Sequence, residues 1–383
     1  MTAQGKYFIL YRKKGRLLYR FLVRNENALS QATSVEERAG HGIDGETHME
    51  TSYRWLTERT FHHRQFSDLR DLVRRKKEQG LRLSLCIPTL NEAETIGQVV
   101  TSLLPLCRGD GLIDELVVVD SGSTDQTQAR AAAAGAVVYQ AADILPETGH
   151  VQGKGENLWK ALYQLTGDIL IFLDGDVVNM HPCFVTGLVG PLLHDPDLGY
   201  VKAFYDRPVD CGDQDGEKTG GRVTEILVRP MLSRLVPELT AVIQPLSGEY
   251  AARRSILESL PFPQGYGVEL AHLLDLHAAH GLDVLAQTDV GERRHRRRSN
   301  LEMGRMAFSL VQVLERRIPW PNTVSAEPPM LRQFVRRDGC FRQSIWTHRE
   351  QERPPMLTLA AYCRRHGRPL PTGESQVEGN EEE

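Results

Sequence analysis

Between Leu81 and about Asp289, short β-rich apolar runs alternate with longer stretches whose apolar positions recur at helical intervals. Strands are predicted at 83–87, 115–119, 136–139, 169–173 and 200–204, and helices at 93–104, 126–134, 156–165, 182–193, 223–235 and 269–280. This alternation predicts an α/β fold with a mainly parallel sheet covered by helices on both faces. Ligands of such sheets bind beyond the carboxyl ends of the strands, so the residues ending each strand are the ones to inspect. Before this body, residues 53–77 carry apolar side chains at helical spacing amid many charges, which predicts one or two surface helices. Residues 7–23 alternate apolar blocks with basic ones, the pattern of a basic surface segment. After Asp289 come the run Arg293-Arg-His-Arg-Arg-Arg298, a predicted helix at 301–317 halted by Pro319, and a polar, acidic end from about 370. Four regions are therefore expected: an N-terminal extension (1–80), a ligand-binding half (81–215), a second half ending in a helix (216–320) and a C-terminal extension (321–383) whose tail is disordered.

Composition narrows the function. The 46 Lys+Arg and 50 Asp+Glu of the 383 residues give a net charge of -4, which argues against a protein that coats nucleic acid. No aromatic platform interleaves the arginine run, so nucleic acid is not expected as a partner. The six cysteines are scattered without a CxxC pair, which fits reduced thiols and a cytoplasmic protein. No stretch approaches the ~20 apolar residues of a membrane span, and the basic interruptions in 7–23 are unlike a signal peptide.

Three strand ends carry chemistry. The first runs Ile87-Pro-Thr-Leu-Asn-Glu92 into a helix, placing an amide and a carboxylate at the helix entrance. The second runs Val119-Asp-Ser-Gly-Ser-Thr-Asp125, where small residues after Asp120 admit a ligand. The fourth ends in Asp174-Gly-Asp176, two carboxylates able to face one hard cation such as Mg²⁺ or Mn²⁺ together with a substrate's phosphates. Helix capping and turn formation use the same residue types, so each motif alone has a purely structural reading.

Jointly, Pro-Thr-Leu-Asn-Glu, Val-Val-Asp-Ser-Gly-Ser-Thr-Asp and Asp-Gly-Asp resemble a nucleotide-sugar glycosyltransferase of the GT-A type, with its Rossmann-like sheet. More narrowly the chain resembles the retaining glucosyl-3-phosphoglycerate synthases, on Gly153-Lys-Gly-Glu-Asn157, Gly220-Gly-Arg-Val-Thr-Glu225, Gln244-Pro-Leu-Ser-Gly-Glu-Tyr-Ala251, Gly265-Tyr-Gly-Val-Glu269 and His295. The resemblance implies that Pro88, Thr89, Leu90, Asn91 and Glu92 hold the uracil and ribose of UDP-glucose, with Asp120, Ser121 and Gly175 nearby. It implies Lys154 at the pyrophosphate or sugar, a Mg²⁺ or Mn²⁺ ion held by Asp176 and His295, and Asp174 at the ribose or the metal. It places Glu269 and Tyr266 at the donor sugar and the Leu246 carbonyl at the reacting centre. The implied acceptor, 3-phosphoglycerate, is a trianion that Gly221, Arg222, Val223, Thr224 and Arg298 would receive, while Arg293, Arg296 and Arg297 include residues that face solvent.

The reaction so implied gives glucosyl-3-phosphoglycerate and UDP, with Glu249 or Glu269 left open as a covalent nucleophile. A mannosyl-3-phosphoglycerate synthase using GDP-mannose is the alternative, since sequence spacing does not resolve one hydroxyl of a sugar. A silent nucleotide-sugar-binding protein is the non-enzymatic alternative. A C2 homodimer is the expected assembly.

Overall fold

The computed structural model describes residues 48–206, 221–294, 299–319 and 340–371, together with the backbone of 7–13, 16–22 and 330–337; side chains at 48, 49, 330, 332, 334–337 and 340–343 are also outside the description. The chain divides into two units, Met1–Thr51 and Ser52–Glu383. In the first, β1 (Tyr7–Lys13) and β2 (Arg16–Leu22) pair as an antiparallel hairpin.

The second unit begins within α1 (His48–Glu58) and continues through β3 (Thr60–His62), α2 (Leu69–Glu78), β4 (Leu83–Thr89), α3 (Ile96–Leu103), β5 (Glu115–Asp120) and α4 (Thr127–Ala133). Next come β6 (Val137–Gln140), α5 (Lys154–Gln164), β7 (Ile169–Phe172), α6 (Cys183–His194), β8 (Tyr200–Asp206) and α7 (Arg229–Leu235). Then follow β9 (Tyr250–Arg253), α8 (Arg254–Leu257), β10 (Phe262–Pro263), α9 (Val268–His280), β11 (Leu285–Glu292) and α10 (Asn300–Arg317). The chain closes with β12 (Met330–Arg337), β13 (Cys340–Thr347), β14 (Glu352–Arg353) and α11 (Ala360–His366).

Eight of the described strands form one sheet in the order β3-β11-β8-β9-β7-β4-β5-β6. All its pairings are parallel except those of β9, which runs antiparallel to β7 and β8. The period-two alternation of the strands sorts apolar residues onto two faces. Val117, Val119, Leu170, Phe172, Tyr200 and Tyr250 pack with α5, α9 and α10. Leu85, Ile87, Val118, Ile171 and Val201 pack with α2, α3 and α6. A mainly parallel sheet buried on both faces is therefore what the pattern predicts and what the chain adopts.

The expected boundary near residue 80 is corrected. Trp55 of α1 is 5% exposed and donates to the Leu282 and Leu285 carbonyls, and β3 pairs with β11 at the sheet edge. Apolar anchoring thus ties 52–80 to the body, and the unit boundary falls at Thr51. The C-terminal region contributes a β12–β13 hairpin and β14 as well as helix. The predicted helix at 223–235 is two pieces, a π-helical turn over Thr224–Val228 followed by α7. Pro230, which lacks an N–H to continue the i→i−4 ladder, sits at that junction. Among the described residues, no helix is long and apolar enough to cross a membrane.

Candidate active site

The exits of β4 and β5 build one wall. Asn91 takes a left-handed φ of 59°, and its Oδ1 accepts from Thr124 N at 2.9 Å while its own N–H donates to Ser123 Oγ at 2.8 Å. Those bonds delay α3 to Ile96, three residues beyond the predicted start. Asp120 is fully buried. Its Oδ1 accepts from the Gly122 and Ser123 amides and Gln128 Nε2, and its Oδ2 from Thr89 and Ser123 hydroxyls. The carboxylate is spent on shaping the loop. Ser121 donates to Asn157 Oδ1 of α5 at 2.6 Å, locking the second motif to the helix that starts at Lys154. Leu90 and Asn91 are left exposed at the rim.

The exit of β7 carries the charge. Lys154 Nζ lies 2.6 Å from Asp174 Oδ1 and 2.8 Å from Glu269 Oε1. Burial works against that ammonium, but the two carboxylates outweigh it and hold its pKa above the usual lysine range. Arg293, at the end of β11, reaches Asp174 Oδ2 at 2.9 Å and Asp176 Oδ1 at 2.8 Å through one nitrogen, Nη2. Its Nε stands 2.7 Å from Glu249 Oε1, an ion-pair contact rather than an aligned hydrogen bond. Burial opposes this charge too, yet Glu249, Asp176 and Asp174 keep the guanidinium firmly protonated. Glu249 is fully buried and accepts from Tyr205 OH at 2.8 Å through its other oxygen. Burial raises its pKa against the pull of Arg293. With both oxygens engaged, Glu249 is not placed to act as a nucleophile.

Small residues allow this crowding. A Cβ at Gly248 would collide with Lys154 Nζ and both Asp174 oxygens. A Cβ at Gly153 or Gly155 would run into the Gln264 or Pro263 carbonyl, and the Gly155 and Glu156 amides donate to the Gly265 and Gln264 carbonyls at 3.2 and 3.0 Å. The Lys154 loop and the Gly265-Tyr-Gly-Val-Glu269 segment are thus stitched together. Glu269 sits in the first turn of α9, 4% exposed, while Tyr266 is exposed. Gly175 packs on Thr89, and its carbonyl accepts from Thr95 Oγ1 at 2.6 Å, joining the Asp174–Asp176 loop to the β4 exit. Thr89, Asp174, Asp176, Lys154, Glu269 and the Leu246–Gly248 turn therefore share one region at the strand ends.

Gly221 has a φ of 104° and opens the helical turn of Val223 and Thr224. Arg222 is exposed and donates to Asn300 Oδ1 at 2.8 Å, at the start of α10. Only seven residue steps separate Arg293 from Asn300, so at ~3.5 Å per residue these two points lie within about 25 Å. His295, Arg296, Arg297 and Arg298 lie outside the described residues. Among the described residues no group of three or more His, Cys, Asp or Glu side chains is arranged to hold a metal.

Several residues bound into this region escaped the sequence reading. Arg293 was expected among arginines that include solvent-facing ones, yet it is 4% exposed and bridges three carboxylates. Glu350 accepts from the Gly265 amide at 2.8 Å, and Arg353 clasps Glu156 with Nε–Oε2 of 2.7 Å and Nη2–Oε1 of 2.8 Å. A strap at 350–354 thus braces both the 153–156 and the 264–269 segments. Its one sequence signal was an arginine-proline pair after a charged stretch, which carries no chemistry by itself.

Strand-end carboxylates and a lysine at the start of α5, gathered at the carboxyl edge of this sheet, mark a GT-A nucleotide-sugar glycosyltransferase. Residues 84–259 match the Glycosyl transferase family 2 model. The chain is 43% identical to a glucosyl-3-phosphoglycerate synthase of Petrotoga mobilis over 311 residues, 80% of this chain and 96% of that one. It is 45% identical to one from Mycolicibacterium paratuberculosis over 287 residues, 73% and 85% of the two chains. The crystal structure of the Mycobacterium tuberculosis enzyme in complex with Mn²⁺, UDP and phosphoglyceric acid matches with a TM-score of 0.70 at 43% identity, covering 79% of this chain and 98% of that one. A second crystal structure of that enzyme, with Mn²⁺, UDP and glucosyl-3-phosphoglycerate, matches with a TM-score of 0.69. The chain belongs to the glucosyl-3-phosphoglycerate synthase family.

Proposed function

We propose that this protein moves glucose from UDP-glucose to the 2-hydroxyl of 3-phosphoglycerate with retention at the anomeric carbon, releasing UDP. The observation that carries the reading is the convergence of Lys154, Asp174, Asp176, Glu269 and Arg293 on one cluster. It stands in a chain 43% identical to an enzyme crystallised with Mn²⁺, UDP-glucose and phosphoglyceric acid.

The uridine lies along Pro88–Glu92, Asp120, Ser121 and Gly175. Lys154 meets the diphosphate or sugar with a fixed positive charge, and Glu269 and Tyr266 orient the glucose. The donor set fits a hard divalent cation: Asp174 and Asp176 offer carboxylate oxygens close enough to share one Arg293 nitrogen. Those two residues, with His295 by family resemblance, would hold Mg²⁺ or Mn²⁺. When bound, the ion offsets charge on the departing diphosphate, a contribution of several kcal/mol. Gly221, Arg222, Val223, Thr224 and Arg298 take the acceptor's phosphate and carboxylate, and co-location of the two substrates supplies much of the rate. Glu249 is occupied by Arg293 and Tyr205, which favours attack without a covalent intermediate, with the Leu246 carbonyl beside the reacting carbon. A cytoplasmic C2 homodimer is the form we assign; the described cysteines Cys86, Cys107, Cys183 and Cys363 are free thiols, in keeping with a reducing compartment.

Purified protein incubated with 3-phosphoglycerate and Mg²⁺ or Mn²⁺, and with either UDP-glucose or GDP-mannose, tests this by mass spectrometry of the product. A hexosyl-phosphoglycerate from UDP-glucose, abolished by chelator and by Asp176→Ala in folded protein, is expected. Product from GDP-mannose alone overturns the donor. UDP binding without any transfer overturns the enzyme.

A further inference from the structure

β8 carries a lysine where its alternation requires an apolar side chain. Tyr200 faces the α5–α9 core and Val201 the opposite face, so Lys202 returns to the first. It is 1% exposed and stands in register with Tyr250 of β9. Its Nζ lies 6.0 Å from the Tyr200 ring centroid and 5.8 Å from that of Tyr250. An ammonium in an aromatic core is unfavourable unless acceptors and opposite charges surround it. Its hydrogen bond goes to the Ser247 carbonyl at 2.7 Å.

That carbonyl belongs to the Gln244–Ser247 turn of the site. Ser247 N–H donates to the Gln244 carbonyl at 3.1 Å and its hydroxyl to the Ala203 carbonyl at 2.6 Å. On one side lies Leu246; on the other, a Cβ at Gly248 would have to displace the Lys154 ammonium and the Asp174 carboxylate. A shift of the Ser247 peptide is therefore passed to both the reacting-centre carbonyl and the lysine–carboxylate pair.

We propose that Lys202 is a positioning residue for glucosyl transfer, its buried ammonium fixing the Ser247 carbonyl and so setting the Leu246–Gly248 backbone against the donor sugar. The proposal rests on the glycosyl-transfer reading of this site. The ammonium also balances charge, since Asp174, Asp176, Glu249 and Glu269 otherwise face only Lys154 and Arg293 among the described cations of the cluster. Lys202 is attracted by Glu269 of α9, Glu249 before β9 and Asp174 after β7, and repelled by Lys154 of α5; the neutral His272 of α9 and the two tyrosines also stand near it. Burial, outweighing the carboxylates, brings its pKa down to about 8. It therefore loses its charge in mildly alkaline solution, where Lys154 and Arg293 keep theirs.

Lys202→Met retains the stem and removes the charge. Initial rates from about pH 6.5 to about 9.5, UDP calorimetry and thermal unfolding are compared with the wild type. The expected result is a kcat lowered about tenfold or more, with both KM values and UDP affinity within about threefold, because positioning acts on the transition state. The wild-type kcat should also show an alkaline fall centred near pH 8 that is missing from Lys202→Met. A kcat within about twofold of wild type, a loss confined to KM, or an alkaline fall that persists in the variant overturns the proposal. Should Lys202→Met not fold, Lys202→Gln, which keeps an N–H donor but no titrating charge, is read by the pH profile: an alkaline fall that persists in it overturns the proposal. Wild-type protein inactive toward 3-phosphoglycerate overturns the acceptor assignment instead. The Lys202 comparison is then read on metal-dependent UDP-glucose hydrolysis, which needs no acceptor.

Discussion

Lys154 at the start of α5 holds Glu269 in the first turn of α9 across 2.8 Å, and the same ammonium holds Asp174 at the β7 exit across 2.6 Å. One side chain thus joins three elements that are far apart in sequence. Their side chains are largely buried, at 15%, 5% and 23% exposure, so removing the cation strands two carboxylates. Lys154→Met should cost about 3–5 kcal/mol of stability and lower kcat on the order of 100-fold. Lys154→Met combined with Glu269→Gln should be less destabilised than the two single changes summed, by roughly 1–3 kcal/mol. Urea unfolding of the four proteins measures this; additive single effects would show that the pair is not coupled.

Gly248 makes a sharper case because its substitution adds one methyl group. The new Cβ would meet the Lys154 ammonium and both oxygens of Asp174. Overpacking of this kind costs about 1–3 kcal/mol in stability. Activity should suffer more, since the displaced groups are those the proposed function sets at the donor. For Gly248→Ala, kcat/KM for UDP-glucose is expected to fall on the order of 100-fold while the thermal midpoint drops only a few degrees. Kinetics and a melting curve on one preparation decide it, and near-native kcat/KM would refute the crowding argument.

The strand-end motifs were legible because polar residues followed apolar runs at predictable places. Pro88–Glu92, Asp120–Ser121 and Asp174–Asp176 all lie at the carboxyl ends of parallel strands, and local chemistry was enough to place them there. Arg293 was not, since a run of five arginines and a histidine does not say which member turns inward; burial beside Glu249 does. Lys202 had a faint signal, a lysine interrupting the apolar run Tyr200-Val-Lys-Ala-Phe204. Trp55, β3 and the 350–354 strap depend on contacts between residues more than 80 positions apart, which no local pattern encodes. β9 was missed because its sequence, Tyr-Ala-Ala-Arg, has weak strand propensity and is held by two neighbouring strands instead.

The strap carries its own prediction. Arg353 meets both oxygens of the fully buried Glu156 and donates to the Thr148 carbonyl at 2.8 Å. Bidentate pairing of this kind is strong and geometrically specific. Arg353→Met leaves Glu156 buried and unpaired, and should destabilise the protein by about 3–5 kcal/mol. Because Glu156 lies two residues from Lys154, kcat should fall too, and Glu156→Gln in the Arg353→Met background should restore part of the stability. Chemical denaturation of the single and double variants reads this out; a double variant no more stable than Arg353→Met would break the link between the strap and Glu156.

His272 shows the opposite economy, a polar side chain in the core that the reaction does not use. It is fully buried on α9, edge-on to Phe262, and neither ring nitrogen has a hydrogen-bond partner. Burial first, then Arg317 and Lys202, lowers its pKa to about 3. The native state therefore keeps it neutral at pH values where an unfolded histidine, with a pKa of about 6.5, takes up a proton. Between those two values the unfolded chain binds the extra proton, so stability falls as pH falls, by about 1.4 kcal/mol per pH unit at most. His272→Leu removes the titrating group and two unpaired nitrogens while keeping apolar volume. Its stability at neutral pH should equal or exceed that of the wild type. Its acid slope below about pH 6.5 should be shallower by about one proton. Urea unfolding from neutral pH down to about pH 4.5 tests both points, and an unchanged slope would mean that His272 is already protonated or hydrated in the native core.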